Sequence, residues 1–255
     1  MNSPEKTASW YQRNQAAQQI RDVRNDEKTN THEYRKDKDA NEIIWRLGGV
    51  SRLFDYIRSL PTKKILDIGA GTGRGIKEIS KLAIGHQLQF EITNLIRDNQ
   101  ASKAFPSKHI HITGAETLRG LKDGDFGGVL AVNSIAYSAY PSLAIKSIDR
   151  IIAPGGVFKG TFHHAGKNSR YGKLIFKDPT IFARQLEQLG YDTAIKQIEF
   201  PGIRTIAGRV SVPETLCNSI LLAIKEGNRS GISAGELLEN DLIFLTEHRN
   251  DKNTR

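Results

Sequence analysis

Apolar positions first fall into a regular pattern between residues 41 and 60. In "NEIIWRLGGVSRLFDYIRSL", Ile44, Leu47, Val50, Leu53, Phe54 and Ile57 recur every three or four places. That is the spacing of one helical face, so one or two amphipathic helices are expected, with Gly48-Gly49 as the natural break and Pro61 as the stop. From Lys63 onward the period changes. "KKILDIG" reads as a strand and "GRGIKEISKLAI" as a helix; "HQLQFEITNL", "HIHIT" and "FGGVLAVN" follow as strands. "YPSLAIKSIDRIIA" then reads as a helix ending at Pro154-Gly155-Gly156, and "GVFKGTFHH" as a fifth strand. Strands and helices in turn predict a parallel sheet covered on both faces. "DPTIFARQLEQLGYD" has an Asp-Pro start and a glycine stop, and "TAIKQIEF" with "NSILLAIKE" suggests a closing pair of strands. No internal repeat interrupts this order.

The ends of the chain differ from its middle. Residues 1–40 are polar, with Ile20 and Val23 as the main aliphatics, and read as an arm with a helical stretch around Ser9–Val23. Trp10 and Tyr11 stand out there, as anchors to the body or as part of a lid. Residues 41–227 form the expected globular domain, and residues 228–255 a short amphipathic helix with a charged tail.

Composition narrows the picture a little. The 255 residues are enough to bury a core; 38% are apolar and 25% charged, and no apolar run approaches the roughly 18 residues of a membrane helix. The first residues have no apolar segment of the secretory kind, so a cytoplasmic protein is expected. One cysteine, Cys217, excludes a disulfide framework and a multi-cysteine zinc site; its apolar setting reads as buried packing. The net charge of +9 admits an acidic partner such as RNA, but the basic residues are scattered among acids.

Candidate chemistry concentrates in "ILDIGAGTG". Gly69, Gly71 and Gly73 follow the first strand, at the edge where open parallel sheets carry their ligand crevice. The spacing is G-x-G-x-G; it fits neither the dinucleotide fingerprint nor the phosphate loop. Asp67, two residues before the first glycine, suits a cationic ligand better than a pyrophosphate: a ligand ammonium would meet it directly or through water.

The segment resembles the first motif of the class I S-adenosylmethionine-dependent methyltransferases. Three more segments resemble that family in its order: "GAETL" after strand three, "DFGGVLAVNSIAY" at strand four, and "IDRIIAPGGVFKGTF" leading into strand five. The resemblance runs from about residue 63 to 162 and plausibly to about 226. It implies an α/β, doubly wound, mostly parallel seven-stranded Rossmann-like sheet with helices on both faces. It implies S-adenosyl-L-methionine as cofactor, held by Asp67, Gly69, Ala70, Gly71, Thr72 and Gly73, with Asn133 facing the methionine part.

Two departures concern recognition of the nucleoside. The family's ribose-binding acid at the end of strand two is missing; Asn94 stands near that place and offers an amide oxygen, with a structural cap of the strand end as the alternative. In "GAETL", Ala115 holds the common Asp position, and Glu116 remains as the expected partner of the adenine amino group.

The acceptor is less legible. Methyl transfer depends largely on alignment and exclusion of water, with at most a base to take the acceptor's proton. His163 and His164, directly after strand five, are the candidate bases, with Tyr137 as a pocket residue; ordinary loop histidines are the alternative. "NSIAY" lacks the prolines of enzymes that methylate amino groups of bases, and Cys217 lies far from the place of a pyrimidine-methylating nucleophile. His109 and His111 share a face of a short strand, but no third ligand is evident, so no metal site is expected. "AGKNSRYGKLIFK", residues 165–177, is basic and sits where the family inserts substrate-binding segments; the alternative is a solvated loop. The expected function is O- or N-methylation of a small-molecule acceptor. The alternatives are an RNA or tRNA methyltransferase, or a non-catalytic binding protein that keeps the fold. The sequence implies no oligomeric state.

Overall fold

The computed structural model describes residues 40–71, 73–95, 99–132, 134–138, 140–163, 178–206, 210–227 and 231–250. The expected alternation is present. Helices α1 (Ala40–Arg46) and α2 (Ser51–Ser59) precede β1 (Lys64–Ile68), and the chain breaks between them at Gly48 and Gly49. There follow α3 (Arg74–Gly85), β2 (Gln89–Asn94), α4 (Asn99–Ala104), β3 (Ile110–Ile112) and β4 (Phe126–Val132). Then come α5 (Pro141–Ile151), β5 (Ile152–His163), α6 (Pro179–Glu187), β6 (Tyr191–Ile206), β7 (Val210–Lys225) and α7 (Ala234–Asn250).

The seven strands form one sheet in the order β3-β2-β1-β4-β5-β7-β6. Strands β1 to β5 are parallel; β7 runs antiparallel to β5, and β6 antiparallel to β7. The strand order reverses between β1 and β4, which places a crevice at the C-terminal ends of those two strands. Two apolar layers flank the sheet. One joins Ile43, Leu53, Phe54, Ile57, Ile79, Leu222 and Leu238, from α1, α2, α3, β7 and α7. The other joins Leu66, Phe126, Ile148, Phe158, Phe162 and Phe182, from β1, β4, β5, α5 and α6. Helix α2 lies close on β4 because glycine leaves room: a Cβ on Gly128 would come within 2.5 Å of Ile57 Cδ1.

Three elements differ from the sequence expectation. Helix α5 ends at Ile151, so Pro154-Gly155-Gly156 belongs to an irregular start of β5, where the pairing with β4 shifts register. Tyr56 Oη donates to the Gly155 carbonyl at 2.7 Å and pins that irregular stretch to α2. The closing strands are 16 residues each, far longer than the runs that announced them. Helix α7 spans 17 residues, and Asp241 within it is fully buried. The expected arm helix around Ser9–Val23, and the basic segment 165–177, lie outside the described residues.

Asp241 ties that helix to the core. Its Oδ2 accepts from Lys159 Nζ at 2.8 Å, and its Oδ1 from the backbone N–H groups of Arg52 and Leu53 at 2.8 and 3.3 Å. Lys159 also donates to the Gly49 carbonyl at 3.0 Å. Both side chains are sealed from solvent. One ion pair therefore fastens α7, the middle of β5 and the start of α2 together.

Candidate functional site

The crevice edge is built first by the turn after β1. Gly69, Gly71 and Gly73 all adopt left-handed backbone angles, with φ of 75°, 61° and 76°. Side-chain-bearing residues resist that region, so the sequence spends glycine there. The three differ in surroundings. A Cβ on Gly69 would lie 2.7 Å from Ser134 Cβ, and one on Gly73 would lie 3.2 Å from the Phe105 ring. A Cβ on Gly71 would meet no atom of the described residues within 4 Å. Two glycines are thus needed for packing as well as for backbone angle, and the middle one faces open space.

Strand β2 holds the turn in place. The N–H groups of Gly69 and Ala70 both donate to the Thr93 carbonyl at 3.1 Å, and Gly69 N–H also reaches Thr93 Oγ1 at 3.1 Å. Asn94 grips Gly71 from both sides: its Oδ1 accepts from Gly71 N–H, and its Nδ2 donates to the Gly71 carbonyl, each at 2.9 Å. Its amide is therefore already committed to the loop, a role that strand-end position alone did not reveal. Thr113 N–H donates to the Asn94 carbonyl at 2.9 Å, joining the turn after β3 to the same edge.

Asp67 lies beneath this turn, near the end of β1. It is buried, and its Oδ1 has no hydrogen-bond partner among the described residues. Burial without a partner pushes its carboxyl well above the usual aspartate value of 3.8. Ser134 Oγ, beside Gly69, is likewise buried and without a partner among the described residues. Buried polar atoms are normally satisfied, so two orphans at one edge are unusual. Glu116 is also buried; its Oε1 accepts from Ser138 Oγ at 2.8 Å.

The acids and histidines of β2 and β3 face elsewhere. Glu91 is mid-strand, where its carboxylate binds His111 Nε2 at 2.7 Å and sits 3.5 Å from Lys64 Nζ. Burial opposes its charge, but the His111 hydrogen bond and the Lys64 charge outweigh that and hold it below the usual glutamate range. It is spent on this polar cluster. His109 belongs to a single 3-10 turn rather than to β3, so it does not alternate with His111 along one strand as expected. Among the described residues, no three His, Cys, Asp or Glu side chains are placed to hold a metal ion.

Of the sequence candidates, Asp67, Gly69, Ala70, Gly71, Gly73, Asn94 and Glu116 gather at the C-terminal edge of the sheet. His163 is the last residue of β5 on the same edge, and Tyr137 ends a single 3-10 turn after β4. Thr72, Asn133 and His164 lie outside the described residues. Sequence reading passed over Thr93 and Ser134. Each adjoins a residue it did single out, Asn94 and Asn133, which was the available signal.

Comparisons with known proteins agree with this architecture. Residues 66–159 match the methyltransferase domain family. The chain is 26% identical over 170 residues to an O-methyltransferase, rstn1, of Aspergillus nomiae, covering 60% of this chain and 73% of that protein. In fold it is similar to the YcgJ protein of Bacillus subtilis, with a TM-score of 0.52 at 12% identity, covering 69% of this chain and 98% of that one. A Bacillus halodurans protein assigned as a methyltransferase gives a TM-score of 0.51 at 13% identity over the same 69% of this chain. The domain match falls on this doubly wound sheet and its glycine turn, and it indicates a methyltransferase. The matched span runs from within β1, across the glycine turn, to within β5. No helix among the described residues is long and apolar enough to cross a membrane.

Proposed function

We propose that the chain binds S-adenosyl-L-methionine on the glycine turn and transfers its methyl group to an oxygen or nitrogen of a small-molecule acceptor. The observation that carries this reading is the buried Asp67 carboxyl, whose Oδ1 has no partner among the described residues, at the strand end that leads into the glycine turn. A buried acid without a partner is costly, and a cationic ligand group is what would offset it. S-adenosylmethionine supplies an ammonium for that purpose and carries its methyl on a sulfonium sulfur.

The residues present fit the cofactor. Asp67 attracts the ammonium, and Ser134 Oγ offers a second polar contact at the methionine end. Gly71 lets the ligand lie against bare backbone, with Asn94 fixing the turn. The Asn94 amide oxygen keeps one lone pair for a ribose hydroxyl in place of the family's acid. Glu116 accepts from the adenine amino group, already oriented by Ser138. Acceptor binding falls at the ends of β4 and β5, where His163 takes the acceptor's proton, with His164 next to it in the chain and Tyr137 in the turn after β4. The likeness to an O-methyltransferase of Aspergillus nomiae supports an oxygen acceptor.

Calorimetric titration with S-adenosylhomocysteine tests the cofactor directly. Micromolar binding to the wild type, weakened about tenfold or more in Asp67→Ala, is the expected result; tenfold corresponds to about 1.4 kcal/mol. No binding by the folded wild type would overturn the reading and favour a scaffold that has kept the fold without the ligand.

A further inference from the structure

Residues 113–121, which carry Glu116, lie between β3 and β4 outside any helix or strand, yet they are held from several sides. Within the segment, Arg119 N–H donates to Thr113 Oγ1 at 2.8 Å, and Leu118 N–H to the Gly114 carbonyl at 2.9 Å. Leu118 has a left-handed backbone, with φ of 38°, and its side chain is fully buried in the apolar layer of Phe126 and Ile148. A residue with a side chain stays in that region only where its surroundings over-determine it.

Those surroundings are α5 and the turn that leads into it. Arg150 Nη2 donates to the Leu118 carbonyl at 3.0 Å, and its Nη1 to the Leu121 carbonyl at 2.7 Å. Ser147 Oγ donates to the Glu116 carbonyl at 2.9 Å. Ser138, ahead of α5, donates from Oγ to Glu116 Oε1 at 2.8 Å. Glu116 is therefore held at both ends, its main chain by one serine and its carboxylate by another. All three residues are buried.

Holding a carboxylate this firmly matters for what it accepts. An ionised carboxylate has acceptors only. A 6-aminopurine presents an amino donor beside an unprotonated ring nitrogen. A 6-oxopurine presents a carbonyl beside a protonated ring nitrogen. A mobile carboxylate would follow the donor from the exocyclic group to the ring. A carboxylate fixed at the exocyclic position would instead meet the carbonyl, acceptor against acceptor, and a buried polar group left unpaired in this way is what makes a site reject an analogue.

We propose, on the cofactor reading above, that Ser138 and Ser147 are positioning residues that lock Glu116 against the exocyclic group of the base, so that the site takes a 6-aminopurine cofactor and rejects its 6-oxo counterpart. Arg150 supports the lock by holding the strained backbone two residues beyond Glu116.

Calorimetric titration with two ligands tests it: S-adenosylhomocysteine, and S-inosylhomocysteine, which has an oxo group in place of the amino group. Wild type is expected to prefer the first about thirtyfold or more, the size of a hydrogen bond to a charged group. Ser138→Ala frees the carboxylate to follow the ring N–H, and should reduce that ratio about fivefold or more. Ser147→Ala should reduce it in the same direction but less. Glu116→Gln has an amide that can donate to the oxo group, and should bring the two ligands to within about threefold of each other. A merely structural role for the serines would weaken both ligands alike; an unchanged ratio in Ser138→Ala and Ser147→Ala would overturn the proposal. Equal affinity of wild type for the two ligands would overturn it too, while leaving the cofactor reading in place. Binding of neither ligand by wild type would remove both.

Discussion

Two aspartates are equally hidden from solvent and treated in opposite ways. Asp241 has a lysine ammonium and two backbone N–H groups on its carboxylate, and the lysine is as fully sealed from solvent as it is. Asp67 has one oxygen with no partner among the described residues, and its carboxyl is pushed upward by burial. A satisfied buried charge holds elements together. An unsatisfied one stores a cost that a ligand can relieve. The first is how the protein attaches its C-terminal helix; the second marks where it expects company.

Substitutions should separate the two, the largest effect first. Asp241→Ala strands a buried lysine, and unfolding by urea should show a loss of about 3–5 kcal/mol. The double change Lys159→Met, Asp241→Leu should recover most of that loss, because neither charge is then left alone. At Asp67 the sign reverses. Asp67→Asn should stabilise the ligand-free protein at neutral pH by about 1 kcal/mol, by replacing a buried carboxyl that has an unpartnered oxygen, while weakening S-adenosylhomocysteine about tenfold or more.

A pH series follows from the same carboxylate. Its folded value lies above the ordinary 3.8, so the folded state holds the proton more tightly than the unfolded chain. The stability this contributes is complete below 3.8. It is lost as pH rises from there through the raised folded value, then levels off. Urea midpoints of ligand-free wild type, minus those of Asp67→Asn, should trace that decline. A difference that does not vary with pH would mean that Asp67 finds a partner in solution.

Smaller effects bound the comparison. Asn94→Ala removes both hydrogen bonds to Gly71 and should cost roughly tenfold in cofactor-product affinity, with little change in fold stability. Lys196→Ala breaks an exposed ion pair with Glu239 that also joins α7 to the sheet. It should cost no more than about 1 kcal/mol, against the several kcal/mol expected at the buried pair in the same helix.

What was legible in the sequence follows from range. The helix of Leu53, Phe54 and Ile57 and the turn of Gly69, Gly71 and Gly73 are local patterns, and periodicity exposes them. Their place at the switch point followed from the alternation of strands and helices. The grip of Asn94 on Gly71 joins positions 23 apart, and strand-end spacing suggested only that Asn94 was near the site. The Lys159–Asp241 pair spans 82 positions, and a lysine in "GVFKGTF" looks like the solvent side of a strand. Pro201, Gly202 and Pro213 interrupt the apolar alternation, which hid the length of β6 and β7 although their backbone pairing is continuous.

The most direct test sets the two aspects of Asp67 against each other. Urea unfolding of wild type and Asp67→Asn is measured at neutral pH, each with and without saturating S-adenosylhomocysteine. A carboxylate kept for the ligand predicts a crossing: the variant is the more stable protein when empty and the less stable when the ligand is present, since tight binding to the wild type adds about 2.7 kcal/mol at a hundredfold excess over Kd. The same order of stability in both conditions would contradict it.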